Sequence, residues 1–68
     1  VLICTGDADP VHSASLAMAR ELPGARVVTF GGKGHGLPAV APDAFTEVLL
    51  DFLADIESGR PIGGSFTL

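Results

Sequence analysis

Apolar residues fall along the 68-residue chain in two rhythms. Val1-Leu2-Ile3-Cys4-Thr5 and Ala25-Arg26-Val27-Val28-Thr29-Phe30 are continuous runs rich in β-branched side chains. Continuous runs, unlike alternating ones, predict strands buried on both faces, as in a parallel sheet. Elsewhere the spacing is helical. Val11, Ala14, Met18 and Leu22 recur at three, four and four residues, which predicts one face of a helix over residues 11–22. Asp9 suits the N-cap of that helix and Pro10 its first position. Pro23-Gly24 ends it. Gly31 to Ala41 reads as a loop. Pro42 opens a second helix whose apolar positions Phe45, Val48, Leu49, Phe52, Leu53 and Ile56 form the strongest periodic signal in the chain. That stripe predicts a core-facing surface over one face of the sheet.

The order strand, helix, strand, helix predicts an α/β fold in which the first three elements are a right-handed parallel crossover. Two parallel strands do not make an independent sheet, since each needs neighbours at its edges and helices on both faces. The first strand has no partner on its other side. The chain opens at Val1, not Met, straight into that strand, and is expected to be a portion of something longer. Residues 1–57 form the incomplete α/β segment. Residues 58–68 are a Gly-rich C-terminal tail, frayed or docked elsewhere.

Composition narrows the function classes. Four Lys+Arg against eight Asp+Glu give a formal charge of −4 with no basic stripe, which argues against nucleic acid and anionic membrane as partners. A domain this small buries only about 60% of the surface of its unfolded chain. The single cysteine, Cys4, excludes an internal disulfide and is expected to be a small buried hydrophobe.

The candidate chemistry lies after the strands. "GDAD" follows the first and "GGKGHG" the second. In open parallel sheets, sites form at the carboxyl ends of strands, and adjacent strands sit about 4.8 Å apart. A carboxylate and an imidazole on neighbouring loops at that edge can meet. An aspartate that accepts the Nδ1–H of histidine fixes its tautomer and leaves Nε2 to act as a base. The glycines give the loop a tight path that aims the ring. Asp9 and His35 are therefore the candidate catalytic pair, with Asp7 as a competitor for the acid. Capping alone would also explain Asp9, and a loop histidine without a task would also explain His35. His12 is expected at the surface or behind the pair. A metal site of His12, His35 and the aspartates lacks a ligand pair such as H-E-x-x-H. "GGKGHG" lacks the spacing of a phosphate loop, and Lys33 is expected to be solvated.

The run "VLICTGDADPVHSASLAMARELPGARVVTFGGKGHG", followed by "PDAFTEVLLDFL", resembles the C-terminal part of α/β-hydrolase fold enzymes over roughly residues 1 to 54. "DADP", "LPGARVVT" and "GHG" also resemble the bacterial subgroup that includes tripeptidyl aminopeptidases. The resemblance implies the βαβα C-terminal portion of a doubly wound, mostly parallel sheet. It implies that Asp9, three residues after Gly6, is the acid and His35 the base of a nucleophile–His–acid triad. It implies no cofactor, a small-molecule or peptide acyl substrate, and the remainder of the hydrolase domain as partner. The family nucleophile, a Ser in G-x-S-x-G upstream of both residues, is absent here. Ser13 and Ser15 lie in the first helix without elbow glycines. The expected function is the C-terminal part of a serine hydrolase, an esterase or peptidase acting on ester, amide or related acyl bonds. The alternative is a non-catalytic truncated or interaction module that docks onto another chain through its sheet edge.

Overall fold

The computed structural model describes every residue from Val1 to Leu68. Three parallel strands form one sheet: β1 (Leu2–Gly6), β2 (Arg26–Phe30) and β3 (Gly64–Thr67). Their spatial order is β1-β2-β3. Leu2 stands opposite Arg26 and Gly6 opposite Phe30, while Arg26 stands opposite Gly64 on the other side. β2 is central, and four of its five residues are buried. That is why it reads as a continuous apolar run.

Helices cover both faces, α1 (His12–Glu21) on one side and α2 (Leu37–Val40) with α3 (Pro42–Ser58) on the other. Side chains two residues apart along a strand share a face. Val28 and Phe30 therefore point the same way, and with Leu37 they form the core cluster, against which Cys4, Phe45 and Val48 pack. Ile3, Thr5 and Val27 are buried on the opposite face, where Thr5 Oγ1 meets His12 Nδ1 of α1 at 3.0 Å. The α/β class and the parallel crossover are thus as expected from the sequence.

Five expectations are corrected. First, α1 begins at His12, and Asp9 is not its N-cap. The Asp9 carboxylate instead accepts the Val11 N–H at 2.9 Å, a local turn that holds residues 9–11 out of the helix. Second, the predicted inward stripe of α1 faces water: Val11 and Met18 are exposed, and His12, Ser15, Leu16 and Ala19 are the half-buried positions. The small Ser15 and Ala19 sit at one helical spacing and let α1 approach the sheet. Third, only part of the α3 stripe is core. Phe45, Val48 and Phe52 turn inward, while Leu49, Leu53 and Ile56 are exposed. The stripe runs about three turns, and its Leu49–Leu53–Ile56 side is angled away from the three-stranded sheet.

The fourth concerns residues 58–68. Gly59 ends α3 in the left-handed region (φ 72°), as a C-terminal glycine should. The chain then runs back along β2 as β3, and Leu68 N–H donates to Thr29 O at 2.9 Å. This tail is an edge strand, fully exposed along its length. It is fastened at its start by Arg26, whose Nε donates to Ile62 O at 2.8 Å. The fifth concerns the loop Gly31–Ala41, which contains an element the sequence pattern did not predict, the single turn α2.

Candidate functional site

Gly6 ends β1, and the chain turns at once. Asp9 N–H donates to Gly6 O and His12 N–H to Asp9 O, each at 3.0 Å. This tight turn places Asp9 above the carboxyl end of the sheet. The next strand ends at Phe30, and its loop climbs over the same edge. His35 Nδ1 lies 2.8 Å from Asp9 Oδ2, across 26 residues of sequence. The structure therefore brings together the two residues singled out as a pair.

Their exposure differs sharply. The Asp9 side chain is 8% exposed and that of His35 80%. The acid is sheltered on its turn, and the imidazole spends one nitrogen on it while the rest of the ring stays open. Asp9 is held below the usual carboxylate range, chiefly by the Val11 N–H. Partial desolvation opposes this, and the His35 hydrogen bond and the charges of His35 and His12 reinforce it. A carboxylate kept ionised beside an imidazole favours the tautomer that carries its proton on Nδ1.

Asp7 takes a different place. Its Oδ1 accepts the Gly32 N–H at 2.7 Å. Lys33 is exposed. His12 is half-buried beside the pair and hydrogen-bonded to Thr5. Cys4 is half-buried, and burial pushes its thiol pKa up, the opposite of activation. No three His, Cys, Asp or Glu side chains converge as a metal-binding group.

A shallow concavity of about 320 Å³ adjoins the pair, with Cys4, Ser15, Leu37 and Phe45 among its walls. A groove of about 390 Å³ between α3 and β3 contains none of the candidate residues. Sequence reasoning missed Arg26, a charged residue inside an apolar run, and the Asp7–Gly32 bond. The misplaced charge in "ARVVTF" was a usable signal for the first. Nothing in sequence marks a carboxylate that will bond to a main-chain amide 25 residues away.

An α/β fold with a carboxylate and an imidazole joined over the carboxyl edge of a parallel sheet is the arrangement met at hydrolytic centres. Comparison with known proteins speaks to the fold alone. The chain is 40% identical over 55 residues to a Rattus norvegicus protein named "Putative protein-lysine deacylase ABHD14B", an α/β hydrolase. The match takes in 81% of this chain and 26% of that protein, so the chain spans about a quarter of the length of the relative. This supports the hydrolase fold and gives no support to the narrower likeness to tripeptidyl aminopeptidases. No family model matches the chain, and no solved structure matches it significantly.

Proposed function

We propose that this chain supplies the acid and the histidine of an acyl-bond hydrolase whose nucleophile lies on polypeptide outside these 68 residues. The observation that carries the proposal is the 2.8 Å contact between Asp9 Oδ2 and His35 Nδ1, with the ring otherwise open. In this reading a hydroxyl, that of a serine in the family pattern, attacks the acyl carbon. Its proton passes to Nε2 of His35, and Asp9 stabilises the imidazolium. That proton then goes to the leaving nitrogen or oxygen as the acyl bond breaks. Water, deprotonated by the same nitrogen, releases the acid and restores the hydroxyl.

Among acyl bonds we favour amides of amines, the class named for the deacylase relative; esters and peptides are the other members of the class. The remainder of the domain would pair with the free edge of β1, which has β2 on one side only. The second reading, a docking module without catalysis, uses that same edge.

The test is made on the longest polypeptide found to carry this sequence. Labelling by a fluorophosphonate and hydrolysis of an acyl-lysine peptide are expected. Asp9→Asn should lower turnover by up to about 10⁴-fold through loss of tautomer control, and His35→Ala should abolish labelling. Full turnover in both variants would leave the docking module as the reading.

A further inference from the structure

The loop that carries His35 has four glycines in six residues, Gly31 to Gly36. Such a segment is costly to order, and its glycines offer no side chains with which to pack. Its position must come from anchors on its main chain. The structure shows three on consecutive residues, one from the last residue of the chain and two from the turn after β1. Gly31 N–H donates to Leu68 O at 3.2 Å, and Lys33 O accepts from Ala8 N–H at 3.0 Å. Between them, Gly32 N–H donates to Asp7 Oδ1 at 2.7 Å. Only the Asp7 anchor is a side chain, and it is the shortest of the three. It is also charge-assisted, a stronger class of hydrogen bond than the neutral pairs beside it. Asp7 is tied to the same strand end a second time, because its own N–H donates to Phe30 O at 3.2 Å. Gly32 itself adopts φ +71°, which a side chain would strain.

From these contacts we infer that Asp7 is a positioning residue for His35. It pins Gly32, three residues before the histidine, and so sets where the imidazole meets Asp9. The inference rests on the reading of Asp9 and His35 as a catalytic pair. It makes the "GDAD" turn a two-carboxylate device, in which Asp9 bonds the ring and Asp7 bonds the loop that presents it. The two carboxylates therefore do not compete for one role.

The test is nuclear magnetic resonance of the longest polypeptide found to carry this sequence, isotopically labelled, with the variants Asp7→Ala, Asp7→Asn and Asp9→Asn. Asp7→Ala should quicken amide exchange at Gly32 by about tenfold, the scale of one charge-assisted bond. It should also broaden or erase the downfield Nδ1–H signal of His35. The amides of Thr5 and Val28, which face the neighbouring strand in the β1–β2 ladder, should keep their exchange rates. Asp7→Asn keeps an oxygen acceptor and should recover most of the ring signal. An unchanged His35 signal in Asp7→Ala overturns the inference. So does equal quickening across the β1–β2 ladder, which would make Asp7 a general stabiliser. If Asp7→Ala does not fold, Asp7→Asn decides. A ring signal that moves in proportion to the change in Gly32 exchange supports positioning, and a weakened Gly32 bond with an unmoved ring refutes it. Asp9→Asn should erase the wild-type ring signal while leaving Gly32 exchange alone. Survival of that signal there breaks the pair itself, a failure distinct from that of Asp7.

Discussion

A Cβ added to Gly6 would collide with the carbonyl oxygen of Lys33 and stand 2.7 Å from that of Gly34. The end of β1 and the His35 loop are therefore in backbone contact at a residue with no side chain. Gly6 does not adopt a positive φ. It is required for closeness, not for conformation. Gly6→Ala must push the loop away from the strand end, and overpacking of this kind costs about 1–3 kcal/mol. Urea unfolding should show that loss, and the His35–Asp9 ring signal should shift with it. Gly34→Ala is the control, because nothing lies within 4 Å of the place its methyl group would take and its φ is not positive. It should change stability by no more than about 0.5 kcal/mol. Equal effects at the two positions would reject the crowding argument.

The Asp9 carboxyl should give the fold an acid limb. Its pKa lies below the ordinary value in the folded chain, for which the Val11 N–H is the largest cause and the His35 bond a further one. A group of this kind favours folding above its unfolded pKa, near about 3.9. The contribution fades as pH falls through the lower, folded value. Asp55 is lowered as well, by Arg60 and then Arg26, and adds to stability with the same sign. Urea midpoints taken from neutral pH down through the carboxylate range should fall on the acid side, and less steeply in Asp9→Asn. An identical acid slope in that variant would show that Asp9 ionisation does not couple to folding.

The parts legible in sequence were those written in side-chain pattern. β1, β2 and the extent of α3 follow from apolar runs and helical spacing. The meeting of Asp9 and His35 follows from their places after adjacent parallel strands. What was missed is held by main chain or by chain geometry. β3 carries "GSFT", with no apolar run, because it docks through backbone hydrogen bonds and an arginine, not through buried side chains. The inward face of α1 is His12, Ser15, Leu16 and Ala19, in which two polar residues interrupt the apolar spacing. The exposed Val11 and Met18 gave the stronger pattern and pointed to the wrong face. The broad α3 stripe concealed which half meets the sheet, since periodicity gives a face but not what covers it.

That half can be measured. Phe52 is 8% exposed and Leu50, two residues earlier on the same helix, 58%. Phe52→Ala should cost about 3–5 kcal/mol if the cavity does not collapse, enough to unfold a chain this small under mild conditions. Leu50→Ala should stay within about 0.5 kcal/mol. Circular dichroism melts of the two variants make the comparison. Similar melting temperatures would mean that α3 is rotated from the orientation described.

Arg26 is the joint that makes the tail part of the sheet. It is the first residue of β2 and is buried. Its Nη2 lies 2.5 Å from Asp55 Oδ2 on α3, and its guanidinium also reaches the carbonyls of Ile62 and Pro61. The rings of Phe52 and Phe66 lie 5.5 and 5.9 Å from it, within the range of cation–π attraction. A planar fork can serve a carboxylate and two carbonyls together, which a lysine ammonium does not reproduce. Asp55 keeps Arg60 as a partner at 2.8 Å and is partly in water, so losing Arg26 does not strand it. The loss should fall on β3, which buries no side chain of its own. In Arg26→Met and Arg26→Lys, the Leu68 amide that bonds Thr29 should exchange at nearly unprotected rates, while Thr5 and Val28 stay protected. Gly31, whose N–H donates to Leu68 O, should lose protection in step with Leu68. Persistent Leu68 protection in Arg26→Met would mean that backbone pairing alone seats the strand, and that the arginine serves α3 and not the tail.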